Sequence, residues 1–237
     1  MKKVYLFTGL LLLISTLGFS QKTHKDLPSF KAIDAFGPFD IELIKSDKEY
    51  AEIDLNGIDQ EEVVVEVQKD ILKLKIKNRH YFSEWKENNY RKSEYARVKI
   101  YYIDIDVIEA EAGTLITSQQ PLKSKYLHIE CSMGAEITLD ILAKEMEVVT
   151  SMGGVLELSG RTDELDVKAT MGGELKAGHL ESKSVFVKAS MGADVMVNVM
   201  EELDASAGFG ATIDYIGGPN VRHTSSNMGG EVNRKGN

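Results

Sequence analysis

A glycine recurs about every 19 residues through the second half of the chain, and this repeat limits the possible fold more than any other feature of the sequence. The repeat glycines are Gly134, Gly153, Gly172, Gly192, Gly210 and Gly229, separated by 19, 19, 20, 18 and 19 residues. Gly113 is a degenerate earlier member. Because one unit of this length cannot bury its own apolar face, a fixed period near 20 residues predicts a solenoid of stacked coils.

The residues between the glycines alternate between apolar and polar, so each coil is predicted to consist of β-strands. The apolar columns lie 7, 5 and 3 positions before the glycine and 3 positions after it. Around Gly172 these positions hold Leu165, Val167, Ala169 and Leu175. No segment has a helical pattern. The sequence therefore predicts an all-β fold, a single-stranded parallel β-helix with coils of about 19 residues.

The position directly before each glycine holds a long apolar side chain. The column consists of Met133, Met152, Met171, Met191, Phe209 and Met228. Strand parity places this column inside the coils, and an unbranched thioether fills irregular gaps in a narrow core, so we predict a buried core ladder. The alternative is a methionine-rich binding surface. The glycine is predicted to let the backbone bend between two strands.

The first half of the mature chain shows the same alternation with less regular spacing, as in FDIELIKSDKEYAEIDLNG. We predict wider coils or hairpins that share the core and cap one end of the solenoid. The expected organisation is a signal peptide at 1–20, a short linker at 21–27 and a single β-helix domain at 28–237. Within that domain, irregular coils are expected at 28–110 and regular coils at 111–237.

The first 20 residues predict export. A basic start, MKKVY, precedes the apolar run LFTGLLLLISTLGF, which is short for a membrane span. Cleavage before Gln21 leaves no cysteine there to carry a lipid, and no later stretch has the length of a transmembrane helix. We expect an exported protein without a lipid anchor, in the periplasm, on the outer surface or in the medium.

Charge and cysteine content narrow the possible partners and the sources of stability. The net charge of −9 repels nucleic acid, so no nucleic-acid partner is expected. With Cys131 as the single cysteine, no intramolecular disulfide can form. An exported fold of this size must then be stabilised by burial and backbone pairing.

Several stretches of the sequence resemble the auto-transporter adhesin head GIN domain family, a domain of unknown function common in exported proteins of Bacteroidetes. These stretches are FKAIDAFGPFDIELIKSD, DILKLKIKN, ARVKIYYIDIDVIEAEAGTLI and the serial Ser/Thr-Met-Gly units. The resemblance covers nearly all of the chain after the signal peptide. It implies a β-helix of parallel coils and an adhesive role, and it supplies no catalytic motif. The chain departs from many relatives in holding Met-Gly where they have a plainer Gly or Ser pair.

The sequence has no motif for catalysis, for a cofactor or for a metal. HExxH, GxSxG and GxxxxGK[ST] do not occur, and the five histidines lack ligand spacing. We therefore predict no catalytic, cofactor-binding or metal-binding residue. The predicted function is a non-enzymatic structural or binding module, adhesin-like, at the cell envelope.

The alternative function is a polysaccharide-active enzyme on a β-helix scaffold. Glu147 and Asp166 stack on consecutive coils, and two carboxyl groups at about 5–10 Å can share acid and base roles. Lys168 and Lys188 occupy the adjacent outward column. The acids are therefore better interpreted as part of a charge-balanced, solvated face.

Two sequence features are candidates for contact with a partner. One is a polar column predicted to face outward, formed by Ser132, Ser151, Thr170, Ser190 and Asn227. The other is the segment RHYFSEWKENNYRKSEY, whose predicted contact residues are Tyr81, Phe82, Trp85, Tyr90 and Arg91. Aromatic rings stack on sugars and anchor protein interfaces, so a glycan or an envelope protein is the expected partner. The alternative is an end cap whose rings cover the edge of a coil.

Overall fold

The structure is a computed structural model, and it describes residues 22–56, 58–77 and 95–236. Within these ranges the chain is built from β-strands and one 3₁₀ turn (Gln60–Glu62), and no helix has the length and apolar character needed to cross a membrane. The strands are β1 (Lys22–Asp26), β2 (Ala32–Phe36), β3 (Phe39–Lys45), β4 (Tyr50–Asn56), β5 (Val63–Gln68), β6 (Ile71–Ile76), β7 (Tyr95–Tyr102), β8 (Val107–Glu111), β9 (Leu115–Ser118), β10 (Leu122–Cys131), β11 (Glu136–Thr150), β12 (Val155–Ala169), β13 (Glu174–Ala189), β14 (Asp194–Ala207), β15 (Thr212–Gly217), β16 (Val221–Ser226) and β17 (Glu231–Arg234).

The chain forms a parallel β-solenoid of about seven turns, as the repeat predicts. Equivalent residues of successive coils are paired: Val148 is opposite Val167, and Val167 is opposite Val187. The first parts of β11 and β14 pair with β9 and β15, whereas their last parts pair with β10 and β16. Each coil therefore has two halves. We call the half that follows a repeat glycine the A segment and the half that precedes the next one the B segment.

The apolar columns predicted to face inward do form the core. Leu165, Val167 and Ala169 of one B segment are completely buried, and so is Leu175 of the following A segment. One continuous hydrophobic cluster runs through the described coils. Because strand side chains alternate between the two faces, the outward residues of both segments remain free to carry charge.

The N-terminal strands close one end of the solenoid with antiparallel pairing. β2 and β3 form a coil that lies between the β6–β7 coil and the β8–β9 coil. Beyond β6 and β7, β5 pairs antiparallel with β6, and β4 pairs antiparallel with β7 and with β1. Ile53 and Val65 of these outer strands are buried. The prediction of irregular coils and hairpins is confirmed.

The C-terminal end is closed by polar residues in the columns that are apolar elsewhere. Arg222 is opposite Leu203, and Thr224 is opposite Ala205. The Arg222 Nη1 atom donates a hydrogen bond to the Tyr215 hydroxyl at 2.8 Å. A terminal repeat with a polar face is how solenoids avoid exposing their core.

Candidate functional site: an exposed methionine ridge

Each Met-Gly pair lies at the centre of a tight turn between a B segment and the next A segment. In the turn at 170–173, the Gly173 amide donates to the Thr170 carbonyl oxygen at 3.0 Å. Met171 has a φ of 49° and Gly172 a φ of 71°. Two consecutive central residues with positive φ are typical of a type I′ turn. The other repeat turns share both features, and the degenerate member before Gly113 adopts the same pair of positive φ angles.

The predicted burial of the column before the glycine is wrong. The exposed fractions are 43% for Met133, 46% for Met152, 48% for Met171, 55% for Met191, 58% for Phe209 and 71% for Met228. Parity arguments assume an extended backbone, whereas two left-handed residues direct both side chains away from the coil. Cys131 and Ala135, which flank one turn, are fully buried, so the alternation resumes in phase after the turn.

The polar column beside the turns is also placed differently from the prediction. Ser132 is 1% exposed, and its hydroxyl donates to Glu111 Oε1 at 3.2 Å. Ser151, Thr170 and Ser190 are partly buried, and only Asn227 of the terminal turn is exposed as predicted. These hydroxyls lie inside the turn and leave the outer edge of the coil to the methionines.

The turns stack in register, so the exposed side chains form a continuous line. The Gly172 amide donates to the Met191 carbonyl oxygen at 3.1 Å, and the Gly192 amide donates to the Phe209 carbonyl oxygen at 3.1 Å. Successive rungs are then separated by about 4.8 Å, the spacing of paired strands, and the six rungs extend over roughly 24 Å. We call the line of Met133, Met152, Met171, Met191, Phe209 and Met228 the methionine ridge.

The local backbone does not favour methionine at these positions. Type I′ turns prefer Asn, Asp or Gly at their first central position, and a left-handed conformation costs a residue with a Cβ atom about 1–2 kcal/mol. Because roughly half of each of these residues stays exposed, burial offsets only part of this cost. Six equivalent turns thus carry a long apolar residue that the turn conformation disfavours. Such conflicts between local conformation and residue type concentrate at functional sites, which makes these side chains candidates for contact with a partner. A contiguous exposed apolar line is typical of interaction surfaces.

The A-segment side of the ridge is acidic. The outward residues three positions after each rung are Glu136, Val155, Glu174, Asp194, Thr212 and Glu231. Glu174 forms an ion pair with Lys176 at 3.2 Å. On the B-segment side, the exposed residues three positions before Met171 and Met191 are Lys168 and Lys188. The ridge is therefore flanked by charges of both signs.

Glu147 and Asp166, the stacked acids considered for catalysis, lie on adjacent strands, but Glu147 does not have the raised pKa of a general acid. Glu147 and Asp166 are register partners on adjacent strands. Glu147 accepts a hydrogen bond from the Tyr126 hydroxyl at 2.9 Å, and His128 Nδ1 lies 3.1 Å away. Tyr126 and then His128 hold the pKa of Glu147 below its usual range. The general acid of a glycosidase needs a raised pKa instead.

The remaining reactive groups provide no second site within the described residues. Cys131 is buried, and the loss of solvation raises the pKa of its thiol to about 12, which makes it unreactive. The described residues contain no group of three or more His, Cys, Asp or Glu side chains that could hold a metal ion. We call RHYFSEWKENNYRKSEY the aromatic segment. Its residues 79–94 lie outside the described ranges, and they include Tyr81, Phe82, Trp85, Tyr90 and Arg91. Its role as a contact or an end cap stays a prediction.

A family model covers most of the chain. The model described as "Putative auto-transporter adhesin, head GIN domain" matches residues 29–219. The chain belongs to this family. The resemblance found in the sequence is thereby confirmed. The match includes the irregular N-terminal coils and the regular coils up to residue 219.

Solved structures from Bacteroides and Parabacteroides have the same fold. A protein described as a putative adhesin from Bacteroides fragilis is 20% identical, with a TM-score of 0.76, covering 91% of this chain and 96% of that one. A putative lipid binding protein from Parabacteroides distasonis is 17% identical, with a TM-score of 0.66 and coverage of 91% and 96%. A putative adhesin from Parabacteroides merdae is 16% identical, with a TM-score of 0.61 and coverage of 91% and 95%. At these identities the likeness shows the fold alone. No curated protein matches the chain.

Proposed function

We propose that this chain is an exported, non-enzymatic binding module of the adhesin type, which acts at the cell envelope through the methionine ridge. The observation that carries the proposal is the ridge itself, in which long apolar side chains are exposed at turn positions that disfavour them. The family description and the neighbouring structures described as adhesins support a binding role. The signal-peptide pattern at 1–20 supports export.

The chemistry of the ridge favours an apolar and uncharged partner. Methionine has three rotatable bonds and a polarisable sulfur, so a line of methionines adapts to surfaces of different shape. The ridge lies at the outer edge of the coils, and a partner must therefore present a groove or a deformable surface. The outward residues beside Met171 and Met191 carry both signs of charge, because acids lie on the A-segment side and Lys168 and Lys188 lie on the B-segment side. These charges favour neither an anionic nor a cationic partner.

The test compares two triple variants in which the same three rungs, Met152, Met171 and Met191, become either Asn or Leu. Asn-Gly is a favoured type I′ pair, so the Asn variant keeps the turns and removes the apolar line. Leu keeps an apolar side chain of similar size. Binding of the mature chain to isolated cell envelopes and to a glycan array is measured for both. We expect the Asn variant to lose at least about tenfold in affinity and the Leu variant to stay near the unmodified protein.

A melting curve first verifies that the Asn variant is folded. If its binding to envelopes and glycans is unchanged, the ridge is not part of the contact surface. A melting temperature far below that of the unmodified chain would instead show that the methionines stabilise the coils. These two outcomes are distinct, because binding is normalised to folded protein.

The aromatic segment is proposed as a second contact surface on the strength of its composition. Trp85→Ala is expected to weaken binding by about 2 kcal/mol or more while the coils stay folded, because tryptophan is a common interface anchor. If the segment is an end cap, stability falls and binding per folded molecule is unchanged. Melting curves recorded beside the glycan-array measurement separate the two roles.

A further inference from the structure

Four neighbouring rungs of the ridge carry a thioether. They are Met133, Met152, Met171 and Met191. Phe209 occupies the next rung and separates this run from Met228. The four side chains are between 43% and 55% exposed, so an ion in solvent can reach their sulfur atoms. Thioethers are soft ligands, and soft sulfur ligands select Cu(I) over hard cations such as Mg²⁺ and Ca²⁺.

The spacing of the rungs suits coordination by neighbouring coils. The amide-to-carbonyl hydrogen bond from Gly172 to Met191 keeps these two turns in register, and paired strands repeat every 4.8 Å or so. A metal–sulfur bond is roughly 2.3 Å long, so two sulfurs on one ion lie at most about 4.6 Å apart. The backbones of adjacent rungs lie at nearly this separation, and the three rotatable bonds of each methionine allow the two sulfurs to reach the same ion.

We propose that the run from Met133 to Met191 is a Cu(I) site in which each ion is held between the thioethers of adjacent rungs. Cys131 does not compete for the ion, because its thiol is buried and stays protonated. The proposal goes beyond the binding function above, which requires an apolar ridge and does not require sulfur.

The test uses leucine variants that keep the apolar surface and change only the donor atoms. The mature chain is titrated with Cu(I), under anaerobic reducing conditions, against a chromophoric Cu(I) chelator. We expect the unmodified protein to bind at least one Cu(I) per chain. The double variant Met152→Leu, Met171→Leu leaves no two thioethers on adjacent rungs, and we expect it to lose at least tenfold in Cu(I) affinity.

Met228→Leu is the matched control. Met228 is the most exposed methionine of the ridge, but Phe209 leaves it without a thioether on a neighbouring rung. Its replacement is expected to leave the Cu(I) affinity unchanged. NMR of the methionine methyl groups, with Ag(I) as a redox-inert substitute, is expected to shift the signals of the four-residue run and to leave Met228 in place.

Three results would overturn the proposal: no Cu(I) binding by the unmodified protein, equal affinity in the double leucine variant, or an equal loss in Met228→Leu. Envelope binding by the same leucine variants is measured in parallel. Because leucine preserves the apolar surface, loss of copper with retained envelope binding supports both proposals. Retained copper binding with no envelope binding by any form refutes only the proposed function.

Discussion

Val167 and Met171 lie four residues apart, both are apolar and both fall on the same parity, yet Val167 is completely buried and Met171 is 48% exposed. The difference lies in the backbone. Val167 belongs to an extended strand, whereas Met171 has a φ of 49° at the centre of a turn. Alternation therefore predicts burial only where the chain is extended, and at the turns the local dihedral angles decide which way a side chain points.

The largest expected effect contrasts a charge in the strand with a charge in the turn. Val167→Asp places an unpaired carboxylate in the core, which costs several kcal/mol, so the variant should unfold or melt far below the unmodified protein. Met171→Asp places the charge in solvent at a left-handed position that Asp tolerates, and its stability should stay within about 1 kcal/mol. Urea unfolding followed by circular dichroism measures both. A large loss of stability in both variants would contradict the exposure of Met171.

The two glycines of one turn separate steric contact from backbone strain. A Cβ atom on Gly173 would lie 2.7 Å from the Thr150 carbonyl carbon and oxygen, so Gly173→Ala should cost about 2–3 kcal/mol through overpacking. A Cβ atom on Gly172 would meet nothing within 4 Å, but its φ is 71°, so Gly172→Ala should cost only about 1 kcal/mol. The free energies of unfolding of the two variants are compared directly. The reverse order would place the turn in a different register.

A smaller effect of opposite sign is expected from Met171→Asn. Asparagine tolerates the left-handed conformation better than methionine, so the variant should gain about 0.5–1 kcal/mol in stability. Met171→Leu is the control, because leucine shares the conformational cost and should leave stability near that of the unmodified chain. A loss of stability in the Asn variant, seen in the same unfolding assay, would mean that the methionines contribute packing energy between coils.

The sequence predicts the coils because the repeat and the alternation are local, and residues such as Leu165 and Leu175 lie where the columns place them. The alternation did not predict that Met171 is exposed, because it is in phase on both sides of the turn and so does not reveal the turn. The usable signal was the four-residue unit itself, with Ser, Thr, Gly or Asn first and Gly third, which is a composition typical of turns. Polar residues at inward positions, such as Arg222 and Thr224, likewise marked the terminal coil.

The insertion of the β2–β3 coil between the β6–β7 and β8–β9 coils could not be predicted in this way. It depends on pairing between strands that are distant in the sequence, and no local pattern encodes such pairing.

The smallest effect is expected on the outward face of the B segments, where the stacked acids lie. Glu147 and Asp166 are exposed, so water can replace any hydrogen bond that Glu147 loses to Tyr126 or His128. The double variant Glu147→Gln, Asp166→Asn keeps the shape of both side chains and should change the free energy of unfolding by less than about 0.5 kcal/mol.

The same variant tests the enzymatic alternative, because hydrolysis that depends on a pair of carboxyl groups cannot proceed through two amides. Neither the unmodified chain nor the double variant should release reducing sugar when it is incubated with a panel of polysaccharides. Turnover by the unmodified chain that disappears in the double variant would establish a glycosidase and contradict the binding module.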